Sequence, residues 1–186
     1  MKRLVSIVLL MLLLSGCASK DSSVDRAMMI RQKLLQSNGC TFDVQITADY
    51  SDVIYTFKMH CICDSQGGIS FTVLEPETIR NICGKIEKNQ GKLTFDDKVL
   101  AFELLADGQV TPVSAPWIMI RSLRSGYFSS CGEVDTGMRI TIYDSYEEDA
   151  LQLDIWTDAN MLPQRAEILY RGRRILTMEI SNYTYV

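Results

Sequence analysis

Cys40-Thr-Phe-Asp-Val-Gln-Ile-Thr-Ala48, then Asp49-Tyr-Ser-Asp52, then Val53-Ile-Tyr-Thr-Phe-Lys-Met-His-Cys61 is the stretch that decides how the rest of the chain is read. Cys40, Phe42, Val44, Ile46 and Ala48 recur at every second residue. So do Val53, Tyr55, Phe57, Met59 and Cys61. Period two places each set on one face of a strand. A hairpin turning at the middle of Asp49–Asp52 pairs Ala48 with Val53, Ile46 with Tyr55, Val44 with Phe57, Phe42 with Met59 and Cys40 with Cys61. Every pair is apolar on apolar, and a slip of one residue would set apolar against polar throughout. This register puts Cys40 and Cys61 opposite each other with Cα atoms about 4.5–5.5 Å apart, a span that a disulfide can bridge. Cys40 and Cys61 are therefore the disulfide candidates. The plainer reading is two small buried side chains.

Outward from the hairpin, the pattern alternates between strands and short helices. Upstream, Ser22 and Asp25 suit a helix start. Val24, Ala27, Met28, Leu34 and Leu35 follow at helical spacing, and Gly39 stops the run. Downstream, Gly67-Gly68 turns the chain into a third strand, Ile69 to Leu74. Glu75-Pro76-Glu77-Thr78 has the form of a helix start, and the helix it predicts carries Ile79, Ile82, Cys83 and Ile86 inward and closes before Gly91. A hairpin follows, Lys92 to Asp96 and Val99 to Ala106, around Asp97-Lys98. Trp117 to Arg124 reads as a further helix entered through Pro116. Met138, Ile140 and Ile142 alternate on one strand and Leu151, Leu153 and Ile155 on the next, with an exposed acidic loop at 143–149. The last hairpin turns at Arg171-Gly172-Arg173 and sets Ala166 and Ile168 against Leu176 and Met178.

The N-terminus carries a different signal. Met1-Lys2-Arg3, an apolar run from Leu4 to Leu14, and Leu14-Ser15-Gly16-Cys17 follow in order. The run is too short for a membrane span of about 20 residues. The segment resembles the bacterial lipoprotein signal, which implies lipid attachment at Cys17 and cleavage before it. Residues 1–16 are then a signal peptide, 17–23 a lipidated cysteine and polar tether, and 24–186 one domain. The location expected is extracytoplasmic, anchored to a bacterial membrane by the N-terminal lipid.

Removing residues 1–16 leaves 170 residues, enough chain for one sizeable core. It leaves 17 basic against 23 acidic residues, a net charge of −6. An acidic surface argues against nucleic acid and against an electrostatic grip on anionic headgroups. Six cysteines become five, an odd number, so at least one thiol stays outside any intramolecular bridge. Cys61 or Cys63 with Cys83, or Cys83 with Cys131, are the other pairings.

Little in the sequence points to catalysis, and no cofactor is expected. His60 is the one histidine, and it falls on the strand face opposite Phe57, Met59 and Cys61. His60-Cys61-Ile62-Cys63 cannot converge on one ion within a regular strand, so no metal is expected. Asp144 with Glu147-Glu148-Asp149 lacks the ligand spacing of a calcium loop. No phosphate loop, dinucleotide fingerprint or nucleophile elbow occurs. The expectation is that the protein is not an enzyme; a hydrolase using paired carboxylates is the third option. Phe42, Tyr55, Phe57, Met59, Trp117 and Ile120 share the inward faces and are the candidates to line a ligand cavity. Periodicity gives their face but not the volume between them, so a filled core is equally compatible.

The order of elements predicts an α+β fold, a curved antiparallel sheet wrapped over helices. With it, Ile69-Ser-Phe-Thr-Val-Leu-Glu-Pro-Glu-Thr-Ile79, Gly91-Lys-Leu-Thr-Phe-Asp-Asp97 and Leu162-Pro-Gln-Arg-Ala-Glu-Ile168 resemble the LolA/LolB lipoprotein-localisation superfamily. That resemblance implies an unclosed β-barrel over a helical lid that holds lipid or lipoprotein acyl chains. The lipobox, the same element order and the Pro-Glu-Thr-Ile helix start are more narrowly similar to germination lipoproteins of spore-forming Firmicutes (the GerS type). This implies docking to an exported cell-wall amidase instead.

Overall fold

The structure, a computed structural model, describes residues 22–87, 93–95 and 105–186. The signal, Cys17, most of the tether and most of the hairpin around Asp97-Lys98 lie outside the described residues. The chain runs α1 (Ser22–Gln36), β1 (Gly39–Asp49), β2 (Ile54–Asp64), β3 (Ile69–Glu75), a 3-10 turn (Glu77–Ile79), β4 (Cys83–Ile86) and β5 (Leu93–Phe95). A second 3-10 turn (Pro112–Ser114) leads into α2 (Ala115–Ser125). Then come β6 (Tyr127–Val134), β7 (Gly137–Tyr143), β8 (Gln152–Thr157), β9 (Pro163–Tyr170) and β10 (Arg173–Tyr185).

All ten strands join one sheet in the order β5-β4-β3-β2-β1-β10-β9-β8-β7-β6. Every pairing is antiparallel. Among the described residues β5 and β6 are the two edges and do not pair with each other, so the sheet is an unclosed barrel. Five strand steps separate β2 from β7, about 24 Å in a flat sheet. Yet Arg121 and Arg124, one turn apart on α2, reach Asp144 just after β7 and the Ser65 carbonyl just after β2. The sheet therefore curls around α2, as the expected α+β architecture requires.

α2 buries Ala115, Pro116, Ile118, Met119, Ile120 and Leu123, and Pro116 sits in its first turn, where a missing N–H is harmless. α1 lies beside α2 and β6. Its inward stripe is Ala27, Ile30 and Leu34, all under 3% exposed. Val24, Met28 and Leu35, placed on that stripe by the sequence reading, are exposed instead. Ile30, left out of the expected stripe, completes the i, i+3, i+7 row. Burying Ile30 and Leu34 contributes on the order of 1.5–3 kcal/mol each.

Arg31, between them, fixes the two helices to each other. Its guanidinium donates to the carbonyls of Leu123 at 2.7 Å and Gly126 at 2.6 Å, and it stacks 3.9 Å from the Phe128 ring centroid. The last carbonyls of a helix have no partner within the helix. A cation there also opposes the negative end of the dipole.

Two expectations change. The β1–β2 hairpin forms, but its register is offset by two residues: Ala48 faces Tyr55, Ile46 faces Phe57, Val44 faces Met59, Phe42 faces Cys61 and Cys40 faces Cys63. A slip of two leaves every side chain on its original face, so the alternation alone cannot distinguish the two registers. What selects this one is the turn. Tyr50 N–H bonds the Val53 carbonyl at 3.0 Å, Ser51 takes φ 74°, and its N–H bonds the Asp49 carboxylate at 2.7 Å. These pin a tight turn at Ser51-Asp52.

The helix expected from Glu77 is only one 3-10 turn, and Cys83–Ile86 is strand β4. Asn81 at φ 65° reverses the chain, and Asn81 N–H with the Ile82 carbonyl pairs back onto Val73 at 2.9 Å each. Ile82 and Ile86 are buried, and their spacing of four puts them on one face in a helix and in a strand alike. The last hairpin matches expectation: Ile168 pairs with Leu176 and Ala166 with Met178, around Arg171 and Gly172 at positive φ.

Candidate functional site

The concave interior is the first place to look, and most of the candidates that face it are buried. Phe42, Met59 and Ile120 show no exposure and Phe57 shows 2%. Phe42 stacks on Tyr183 with centroids 5.5 Å apart. These four candidates are brought together, but as core. Tyr55 is not with them. It is half exposed at the hairpin tip beside the exposed Val53 and Ile54, edge-on to Tyr50 at 5.6 Å. The two-residue register offset moves Tyr55 opposite Ala48, next to the turn.

Trp117 is the candidate left facing open space. α2 turns its Trp117–Arg121–Arg124 side away from the core, because Ile118, Met119, Ile120 and Leu123 take the buried positions. The Arg121 guanidinium lies 4.7 Å from the Trp117 ring and donates to Asp144 at 2.6 Å. The two side chains form a ridge with a cleft on each side. One cleft, about 210 Å³, is lined by Leu35, Gly67, Trp117, Arg121 and Arg124. The other, about 290 Å³, is lined by Ile86, Thr111, Trp117, Ile118, Asp144 and Leu151. Sites for small molecules begin at about 300 Å³, so the clefts reach that size only when taken together across the ridge.

The polar groups of the clefts are unevenly satisfied. Asp144 holds Arg121 and also accepts the Leu151 N–H at 2.8 Å. Arg124 donates to the Ser65 carbonyl at 3.1 Å and forms no ion pair among the described residues. The Thr111 hydroxyl is buried without a hydrogen-bond partner. The apolar walls could take a hydrocarbon chain, and Arg124 and Thr111 could take a polar head. Trp117, expected on the inward face, lies instead on the side of α2 turned from the core and is only partly buried. Arg121, Arg124 and Thr111 carried no sequence signal beyond their positions near α2.

The outer face carries His60. Its Nδ1 lies 2.6 Å from Asp43, whose other oxygen accepts the Asn182 amide at 2.7 Å. Burial raises the Asp43 carboxyl, but the Asn182 and His60 hydrogen bonds outweigh it and hold the group below the usual aspartate range. No hydroxyl or thiol among the described residues hydrogen-bonds to His60, so this carboxylate–imidazole pair lacks a nucleophile. Among the described residues, no group of three or more His, Cys, Asp or Glu is placed to hold a metal.

Cys40 and Cys61, both fully buried, are not opposed. The partner across from Cys40 is Cys63, while Cys61 faces Phe42. Diagonal neighbours on paired strands lie about 7–8 Å apart, at or beyond the limit for a disulfide, so the offset removes the geometry on which a Cys40–Cys61 bridge rested.

No protein-family profile matches the chain, and no curated protein is similar enough in sequence to be matched. Several solved structures are similar in part. A LolA superfamily protein from Nitrosomonas europaea is 8% identical over 85% of this chain and 92% of its own, with a TM-score of 0.40. An uncharacterized conserved protein from Thermus thermophilus is 11% identical over 91% and 88%, with a TM-score of 0.43. The Mycobacterium tuberculosis lipoprotein LppX is 10% identical over 89% and 96%, with a TM-score of 0.41. The narrower resemblance to germination lipoproteins gains no support from these comparisons. The unclosed antiparallel sheet over helices stands on the strand order and pairing of this chain itself.

Proposed function

We propose that the protein is a non-catalytic lipoprotein of the cell envelope, anchored through Cys17, that binds an acyl-bearing ligand along the Trp117–Arg121 ridge. The observation that carries this is the pair of open clefts on either side of Trp117, each with apolar and polar lining. The ligand lies under the rim of the half-barrel, on Leu35, Ile86, Ile118 and Leu151, with its polar head toward Arg124. Anchoring beside a membrane keeps such a site near its lipid supply.

The chain has two tryptophans, and the second, Trp156, lies on the outer face between Arg139 and Arg165. A Trp156→Phe variant therefore reports on Trp117 alone. Titration with a fatty acid brominated along its chain is expected to quench that fluorescence saturably, and non-brominated fatty acid is expected to compete. Absence of quenching at concentrations well above those of envelope carriers would sink this reading.

A second reading is favoured by a different observation. β6 is an edge strand of eight residues, six of them exposed, and one side of its backbone pairs with no other described strand. Such an edge suits an added strand from a protein partner, and an exported cell-wall amidase is the partner proposed. In that case bromolipid leaves Trp117 unquenched, and amide exchange along β6 slows when the amidase is added.

A further inference from the structure

We propose that Cys40 and Cys63 are a disulfide-forming pair that staples β1 to β2 when the chain meets a disulfide oxidant. The two are direct partners across the central hairpin. Both point into the core, 0% and 3% exposed. The Tyr50 N–H to Val53 carbonyl bond sets the alternation of the ladder. It puts even-numbered residues of β1 at hydrogen-bonded positions, so Cys40 and Cys63 have Cα atoms about 5.5 Å apart. That is the centre of the range found for disulfides.

None of the other described cysteines lies opposite a cysteine across a ladder; Cys131 on β6 faces Ile140. Cys61 opposes Phe42, sits diagonal to Cys40, and shares a strand with Cys63. Cys83 lies on β4, where its near neighbour is Thr72 at 3.4 Å. The odd count of five cysteines after Cys17 is then one bridge plus three others.

The exchange is ordinary thiol–disulfide chemistry. One thiol of the pair loses its proton and attacks one sulfur of the oxidant disulfide, which breaks, and the other sulfur leaves as a thiol. The second cysteine then loses its proton and attacks the protein sulfur of the mixed disulfide, releasing the second oxidant thiol. Two protons and two electrons pass from the cysteine pair to the oxidant, which ends as two thiols. Both sulfurs are buried in the finished fold, so the reaction belongs to the folding chain, while the hairpin is still accessible.

The test does not depend on the ligand reading. The full chain, purified reduced, is refolded in a mixture of reduced and oxidised glutathione. Remaining thiols are blocked with N-ethylmaleimide at acid pH, and the unreduced protein is digested with trypsin. The expected product joins the Cys40 peptide to the peptide running from Met59, two mass units lighter than the two thiol peptides together. Because Cys61 and Cys63 share that peptide, fragmentation at Ile62 assigns the linked sulfur. The link is expected to persist in Cys61→Ser and to vanish in Cys63→Ser. N-ethylmaleimide on both Cys40 and Cys63 of the refolded wild type overturns the proposal, and so does a fragment ion placing the link at Cys61.

Discussion

Arg31 shows how much one partly buried side chain holds in this fold. It leaves α1, crosses to the end of α2, satisfies the Leu123 and Gly126 carbonyls and covers the Phe128 ring. Hydrogen bonds to a charged donor contribute about 1.5–3 kcal/mol each at most, and orphaning buried acceptors costs a similar amount. Arg31→Ala is expected to destabilise the protein by about 2–3 kcal/mol, seen as a lower midpoint in urea with little change in slope. Arg31→Lys, a point charge without the planar fork, should recover less than half of the loss. If Arg31→Ala unfolds at the wild-type midpoint, the bridge between the helices contributes nothing. The sequence could not announce this role. Arg31 falls inside the apolar stripe of α1, where periodicity treats a charge as an exception, and its partners lie more than ninety residues away.

The elements themselves were legible where period and length agreed. The long alternation from Cys40 to Cys61 gave β1 and β2 with the right faces, and Trp117 to Arg124 gave α2. The pairing of Ala166 and Ile168 with Met178 and Leu176 was correct because a bulge at Ile175 adds one residue after the two-residue Arg171-Gly172 turn, in place of the three-residue loop expected. Legibility failed where a pattern fits two geometries. Ile82 and Ile86 satisfy both periods, so the run after Pro76 read as helix until the Asn81 reversal showed it to be β4. The hairpin register was open by two for the same kind of reason, and with it went the position of Tyr55 and the partner of Cys40. The candidate site was legible only through Trp117.

Gly39 carries a constraint of its own at the step from α1 to β1. It has φ 144°, and a Cβ there would overlap the carbonyl oxygen of Cys63. Gly39→Ala is expected to cost about 3 kcal/mol through backbone strain and displaced pairing at the end of the hairpin. Thermal unfolding that leaves the variant within a degree of wild type would show that the strand end relaxes freely.

On the scale of the whole molecule, the sheet is strongest at its middle and weakest at its rims. β1, β10 and β9 are paired on both sides and backed by buried residues, whereas β6 is paired once and mostly exposed. Native-state hydrogen exchange should therefore be slowest at the centres of β1 and β10 and faster by about a hundredfold or more along β6. Uniform protection across the ten strands would contradict this gradient.

β10 lies between β1 and β9, and its end pairs with the start of β1 through Val186 and Gly39. Strands β1–β5 and β6–β9 share no ladder without it. A growing chain that has reached Tyr170 thus carries two separate half-sheets, each with a bare flank, and they fuse only when the following residues arrive. Until then both flanks are open to wrong partners. A polypeptide that must cross a membrane as an extended thread is, by this strand order, kept from completing its sheet until almost all of it has passed through.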